Sequence, residues 1–387
     1  MDRAGLTGRG GAGFPAARKM RAVTAGQRGR AGARSRAILV ANAAESEPAS
    51  AKDMTLLSLA PHLVLDGIAL AATAVSASDA YLCVGSRAPD LVRKLEMAVA
   101  ERRRAGLGEV PVRVVAVPPG YVSSEESAIV HFLNGGPALP TFVPPRPFER
   151  GVRGRRTLVN NAETLAQMAL IGRYGAEWFR AVGTRKEPGS ALFTVCGAVA
   201  QPGVYEAALG TPIRDLLELA GGPSQPIQAI LAGGYFGGWL PATAVSLPAT
   251  DRDLRAAGAG LGAGVFAALP AAACGLAETA RLARYLAGES AGQCGPCRNG
   301  LPAIASTIEQ IAHRGGGARA HQALTRFIGL VEGRGACHHP DGAARLVATA
   351  ARVFAEDVRR HRGGPCPHAG DPAMLPVPRR ERREVAR

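Results

Sequence analysis

The run Glu289-Ser-Ala-Gly-Gln-Cys294-Gly-Pro-Cys297-Arg298, answered about forty residues later by Gly335-Ala-Cys337, constrains this chain more than any other stretch. Two thiolates at C-x₂-C spacing on a turn entering a helix grip one metal centre from the same side, and a distant third closes the site. The chain must therefore bring a helix start and a later inter-helix loop together. Three cysteines are one short of a four-thiolate set, and Ala291 stands where a C-x₂-C-x₂-C run would place another. On ligand type alone the site admits an iron–sulfur centre, a Cys₃His zinc ion or simply buried thiols. His338, His339 and Cys366 are the candidates to complete a metal set. Cys83 and Cys196, each in an apolar strand, read as core, and so does Cys274.

The chain's 387 residues suffice for two or three domains with real cores. No uninterrupted apolar run reaches the roughly 18 residues a membrane span needs, and the N-terminus lacks a signal-type apolar core. These features predict a cytoplasmic protein, bound to a membrane only through partners. Seven scattered cysteines then read as metal ligands or buried thiols rather than a disulfide framework. The net charge of +15 raises the question of nucleic acid, but only four of the 46 basic residues are lysine. The arginine clusters at 102–104, 150–156 and 379–383 carry no interleaved aromatics to stack bases. Docking to an acidic partner protein accounts for the charge better than nucleic acid does.

The opening Gly8-Arg-Gly10-Gly11-Ala-Gly13-Phe14-Pro15 fits G-x-G-x-x-G, yet no strand precedes it, so it fails as a dinucleotide fingerprint. Its backbone amides can still cradle a phosphate beside a helix start. The apolar run Arg36-Ala-Ile-Leu-Val-Ala-Asn42 predicts a buried strand. A helix near 55–73, a strand over 80–85, a helix near 88–105 and a strand over 112–117 follow. Strands alternating with helices indicate an α/β domain with a parallel sheet, whose ligands sit at the carboxyl ends of the strands. The loops 42–53 and 118–126 lie there, and the Pro/Arg-rich segment 137–156 reads as a clamp around this domain. From Ser190 short β stretches and one helix near 212–220 predict a small α+β domain. From Cys274 the period turns helical, over 275–287, 298–312, 318–331 and 342–362, which predicts a four-helix bundle. Lone His62 and His131 on helical faces read as structural.

Taken together these motifs resemble the flavin-bearing, NADH-binding F subunit of respiratory complex I and its relatives in NAD-linked hydrogenases and formate dehydrogenases. Four motifs occur in the family's order over nearly the whole chain. They are Gly8 to Pro15 with Lys19, Asn42-Ala-Ala-Glu45-Ser-Glu47-Pro with Lys52-Asp53, Asn160-Asn161-Ala-Glu-Thr-Leu165, and Gly292 to Arg298. The resemblance implies an FMN- and NADH-binding α/β domain over 1–175, a β-grasp-like (SLBB-type) domain over 185–270, and a helical iron–sulfur domain over 274–363. The Pro- and Arg-rich 364–387 reads as a disordered tail. By the same resemblance Gly8, Gly10, Gly11 and Gly13 form the loop packed on the flavin, beside Phe14, with Lys19 near the flavin ring. Asn42 and Glu45 match flavin-site positions, Glu47 matches the acid that holds the NADH nucleotide, and Tyr121, Glu125 and Glu126 match the family's Tyr…Gly-Glu-Glu segment. Asn160 and Asn161 match paired asparagines near the FMN phosphate, and Cys294, Cys297 and Cys337 match cluster ligands.

The departures are specific. Ala44 replaces an aspartate, Ser124 a glycine, and Ala22 and Arg146 stand where family members carry aromatics against the adenine. The segment usual before the glycine loop does not precede Gly8, as expected if Met1 is a late start. The implied activity is transfer of a hydride from NAD(P)H to FMN and of single electrons through an iron–sulfur cluster to a ferredoxin-like or other electron-transfer subunit. The cluster is expected to be 4Fe-4S with a non-Cys fourth ligand, or 3Fe-4S. The alternative is a non-enzymatic paralogue that keeps the fold as an electron relay or assembly scaffold.

Overall fold

The structure is a computed structural model; it describes residues 1–25, 36–108, 110–315, 317–361, 368 and 372–378. Apolar runs become strands wherever helices cover both faces of the sheet. After helix α1 (Ala16–Ala25) the chain runs β1 (Ala37–Ala43), α2 (Lys52–Leu59), α3 (Pro61–Ala74), β2 (Ala77–Gly85), α4 (Pro89–Arg104), β3 (Val112–Val117), α5 (Glu126–Leu133), β4 (Thr157–Asn161) and α6 (Ala162–Arg180). The four strands form one parallel sheet in the order β3-β2-β1-β4. Side chains alternate along β1. Leu39 and Ala41 join the core under α3, α4 and α6, while Ile38 and Val40 face Ile129, Val130 and Val152 on the other side.

The predicted single helix over 55–73 is two helices, α2 and α3, bent by 98°. Pro61 explains the break. Its ring disfavours the helical region for Ala60, which sits at φ −137° and ψ 55°. Among the described residues no single helix is long and apolar enough to cross a membrane.

The second layer is a five-stranded mixed sheet. Its elements are β5 (Ser190–Gly197), β6 (Gly203–Ala208), α7 (Ile213–Leu219), β7 (Ile227–Ala232), β8 (Gly238–Pro241), α8 (Asp251–Ala256) and β9 (Val265–Pro270), with strand order β6-β5-β9-β7-β8. Central strand β9 pairs parallel with β5 and antiparallel with β7. One face, with Ile230, Ala232, Phe266 and Ala268, packs on α7. The other face, with Leu231, Val265, Ala267 and Leu269, packs on the C-terminal helices.

Those helices are α9 (Gly275–Glu289), α10 (Leu301–Arg314), α11 (Gly317–Val331), α12 (His339–Val353) and α13 (Ala355–Arg360). They share one core with the second sheet rather than owning a separate one: Trp239 of β8 stacks edge-on to Phe354, with centroids 5.3 Å apart. The expected last helix over 342–362 divides at Phe354, between α12 and α13. The expected disordered tail is corrected where the structure describes it. Residues 372–378 pack against the helices, with Leu375 buried, its amide donating to Glu278 Oε1 at 2.7 Å and its carbonyl accepting from Arg281. The rest of that expectation lies outside the described residues.

Candidate functional site

The glycine loop closes over the carboxyl end of the parallel sheet. Thr7 pairs with Pro15 across the loop, and the Gly8 amide donates to the Phe14 carbonyl at 2.9 Å. The Arg9 amide donates to Thr164 Oγ1 at 2.9 Å, which ties the loop to the first turn of α6. Gly11 and Gly13 adopt φ of +104° and +62°, where a side chain would be strained. A Cβ on Gly10 would stand 3.1 Å from the Asn161 Cβ, so the loop approaches β4 as closely as glycine allows. The loop is thus a fixed part of the fold, with Phe14 left 44% exposed and Arg18 above its ring.

Around it, β1 and β4 end side by side, with Asn42 opposite Asn161. Asn161 caps α6 by accepting from the Glu163 amide at 3.1 Å, and its Nδ2 donates to Asp53 Oδ2 at 2.6 Å and to the Asn42 carbonyl at 3.2 Å. Asn42 Nδ2 donates to the Ser124 carbonyl at 2.8 Å. Asn160 is buried, and its Nδ2 has no partner among the described residues. Lys19 pairs with Glu126 at 2.9 Å on the opposite rim.

All four acids of these loops are engaged, none being a solvated loop residue. Glu45 accepts from the Asp53 and Met54 amides at 3.2 Å each, capping α2. Burial raises its pKa, with the Asp53 charge adding to the effect. Glu125 caps α5 through the Ser127 and Ala128 amides at 2.8 and 3.2 Å. Glu47 is buried where three parts of the chain meet. It accepts from Tyr121 Oη at 2.7 Å and from the Tyr235 amide of the second domain at 2.8 Å. Burial pushes its pKa up to about 7, against the pull of those hydrogen bonds. Tyr121 in turn lies against Phe236, Tyr285 and His339, with centroids 4.6, 6.0 and 5.8 Å away. Its amide donates to Glu289 Oε2 at 3.0 Å, linking this cluster to the end of α9.

Sequence reasoning underrated a buried charge network. Lys52 Nζ reaches Asp53 Oδ1 at 2.8 Å, Glu163 Oε2 at 2.9 Å and Asn161 Oδ1 at 3.3 Å, and its side chain is 4% exposed. Burial would lower the Lys52 pKa, but Asp53, Glu163 and Glu45 outweigh it and hold it above the ordinary lysine value. Glu163 Oε1 also accepts from the Leu192 amide at 2.9 Å, so the network fastens the two sheets together. Arg9 is the other omission. Its guanidinium is buried under the loop, donates to the Ser190 carbonyl at 3.0 Å and leaves Nε unpartnered. The available signal was the scarcity of lysine together with the acids inside the two motifs.

The three thiols come together at the far end of α9. Cys294 and Cys297 flank a turn continuous with one π-helical turn, Pro296–Gly300, that leads into α10, and the Arg298 amide donates to the Cys294 carbonyl at 3.0 Å. Cys337 sits in the loop before α12. Burial raises the Cys294 pKa, but the Ala336 and Cys297 amides and the Cys297 thiol outweigh it, leaving the pKa below the ordinary thiol value. Burial pushes Cys297 up to about 12, helped by the charges of Cys294 and Cys337. Cys337 is also raised, chiefly by burial. Among the described residues no three Cys, His, Asp or Glu side chains close around a single-ion position.

Neither histidine offered as a completing ligand is held toward the thiols. His338 is fully exposed, with Nδ1 3.8 Å from the Asp341 carboxylate. His339 is buried, with Nε2 on the Leu286 carbonyl at 2.8 Å, and burial lowers its pKa to about 4. Cys366 lies outside the described residues. Cys83 is fully buried, as expected of core, and Cys274 caps α9 through the Ala277 amide at 3.3 Å. His62 pairs with Glu101 at 3.3 Å and His131 contacts the Leu139 carbonyl at 3.1 Å, both structural contacts. At the departures, Ala44 is buried, Ser124 Oγ meets Ser46 Oγ, and the exposed Arg146 amide donates to Glu149 at 2.7 Å.

Three family models match the chain. They are the Nuo51 FMN-binding domain over residues 1–170, the SLBB domain over 192–235, and the NADH-ubiquinone oxidoreductase-F iron-sulfur binding region over 277–361. The NADH-quinone oxidoreductase F subunit of Mycobacterium tuberculosis is 33% identical, covering 96% of this chain and 86% of its own. Its Escherichia coli counterpart is 31% identical, over 92% of this chain and 81% of its own. Among solved structures, an NAD⁺-reducing [NiFe]-hydrogenase in the H₂-reduced state superposes with a TM-score of 0.82 at 32% identity. That match covers 95% of this chain, which spans 62% of the hydrogenase chain.

Proposed function

Because this chain belongs to the family of NADH-quinone oxidoreductase F subunits, we propose that it takes a hydride from NAD(P)H onto FMN and passes the electrons singly through an iron–sulfur cluster to a partner subunit. The balance is simple: NADH becomes NAD⁺, two electrons leave one at a time for the acceptor protein, and one proton is released to solvent. Bound FMN supplies the conversion of a two-electron donor into two one-electron steps, which no side chain of the chain can perform.

The residues fit such a cofactor. The glycine loop offers a surface without side chains, Asn160 Nδ2 is a buried donor with no partner among the described residues, and both lie at the carboxyl end of a parallel sheet, where ligands bind. That unpartnered amide at the end of β4, next in the chain to the Asn161 on which the glycine loop packs, is the observation that carries the reading. Gly8, Gly10, Gly11, Gly13, Asn42, Asn160 and Asn161 would hold the nucleotide, and Lys19 would balance negative charge on the ring. Phe14 would offer an apolar face, and Glu47 and Tyr121 would shape the nicotinamide side. Glu45, Glu125 and Glu126 act one step back, by capping helices and holding Lys19. Cys294, Cys297 and Cys337 would bind the cluster, a donor set suited to iron–sulfur chemistry.

The partner we propose is a ferredoxin-like or other electron-transfer subunit of a multisubunit complex, in a cytoplasmic setting with membrane contact only through that complex. The test is flavin analysis and reduction of an artificial acceptor by NADH, using anaerobically purified full-length protein. Wild type should carry about one FMN and turn over, and Asn160→Ala should weaken FMN binding about tenfold, the loss of a buried hydrogen bond. Protein that takes up no flavin and reduces no acceptor would leave only a scaffold role.

A further inference from the structure

Three thiols serve a centre that ordinarily takes four, and the surroundings of Ala291 show what becomes of the remaining ligand position. The Gly292 amide stands against the Cys297 sulfur, with Ala291 the residue before it. The Ala291 methyl offers no donor atom. Several side chains near the loop that carry donors are committed elsewhere. His339 bonds the Leu286 carbonyl, Glu289 the Tyr121 amide, and Asp341 the Gly333 amide at 2.8 Å. Glu125 caps α5. His338 projects fully into solvent.

The mouth of the site is open. Gly292, Gly295 and Gly333 are exposed, and a Cβ added to any of them would meet no atom within 4 Å. Arg298, next to Cys297, and Arg334, three residues before Cys337, are exposed, and neither pairs with a carboxylate among the described residues. Two guanidinium groups beside an uncrowded opening favour a small anion there.

Resting on the reading that the three cysteines hold an iron–sulfur cluster, we propose that one ligand position, on the Ala291 side, is left open to solvent and is filled by an exogenous small thiolate. Thiolate is the ligand that iron–sulfur centres select. With the position unfilled, the iron there is held only by the cluster's own sulfides and is the one lost on oxidation. The balance is [4Fe-4S]²⁺ to [3Fe-4S]⁺, with one Fe²⁺ released and one electron taken by the oxidant.

The test compares full-length wild type with Ala291→Cys, His338→Ala and Cys366→Ser after anaerobic reconstitution with iron and sulfide. Each is challenged with ferricyanide as the oxidant, alone, with 2-mercaptoethanol, or with ascorbate supplying the same reducing equivalents to match the oxidant the thiol consumes, and read by iron and sulfide content and by EPR. Wild type should fall to about three irons with a three-iron EPR signal, while Ala291→Cys keeps about four. The thiol should slow iron loss from wild type by about tenfold relative to ascorbate, the scale on which neighbouring groups alter metal retention, and give Ala291→Cys no such advantage. His338→Ala and Cys366→Ser should behave as wild type. Wild type that keeps its iron as well as Ala291→Cys without added thiol overturns the proposal. So does a loss of iron confined to His338→Ala or Cys366→Ser, because the fourth ligand then comes from the chain. Absence of iron and sulfide from both wild type and Ala291→Cys removes the cluster itself, and the open position with it.

Discussion

Replacing Lys52 with methionine keeps the aliphatic stem and deletes the cation that Asp53 and Glu163 both touch, with Glu45 nearby. In the wild type its ammonium lies 2.8 and 2.9 Å from two carboxylates, and all three side chains are less than a tenth exposed. Removing one partner of a buried ion pair strands the other and costs about 3–5 kcal/mol, and here two carboxylates are stranded together. Lys52→Met should therefore destabilise the fold by at least about 3 kcal/mol, more than a hundredfold in the unfolding equilibrium. The deficit should shrink toward acidic pH, because the Glu45 carboxyl, already raised by burial and the Asp53 charge, loses the Lys52 cation that opposes the rise and takes up a proton more readily. Adding Glu163→Gln should recover part of it, since glutamine keeps an acceptor for the Leu192 amide. Urea unfolding at pH 5 and pH 8 measures all three effects. A Lys52→Met protein within about 0.5 kcal/mol of wild type, or a deficit equal at both pH values, refutes the claim that the network is held by charge.

The Glu47 carboxyl, raised from 4.5 to about 7 by burial, binds its proton more tightly in the folded chain. Its stabilisation is present in full below about pH 4.5 and is lost as pH rises through 7, about 3 kcal/mol in all. Glu47→Gln should flatten that slope in melting curves between pH 5 and 8. Gly67→Ala would place a methyl 1.9 Å from the Leu165 carbonyl oxygen. It should force α3 off α6 at a cost of about 3 kcal/mol, read as a lowered urea midpoint. Glu289→Ala removes the acceptor of the Tyr121 amide; it should cost about 1–3 kcal/mol and reduce iron retention, checked by denaturation and metal analysis on one preparation.

Much of the fold was legible because its patterns are local. The strands β1, β2 and β3 read as apolar runs, and the cysteine spacing required a turn entering a helix; β4, only five residues long and ending in the two asparagines, did not read as a strand. The break at Pro61 was also written in the chain; treating 55–73 as one periodic stretch hid it. The roles of the acids were not legible. Glu45 and Glu125 look like ligand carboxylates within their motifs, yet each caps the helix that follows it. Glu47 matches a nucleotide-binding acid, yet it is buried and accepts from Tyr121 Oη and from the amide of Tyr235, 188 positions away.

By itself the sequence determined the family, the order of the three units, and the three thiols with an alanine where a further ligand would stand, because each depends on residue type at fixed spacing. The tertiary structure decided what those residues touch. It gave the helices and the second sheet a common core, turned Lys52 into the centre of a buried network, drew residues 372–378 onto the helices, and took His339 away from the thiols. These outcomes depend on contacts between residues far apart in the chain. Burial there changes the cost of a charge by several kcal/mol, and no local pattern carries that information.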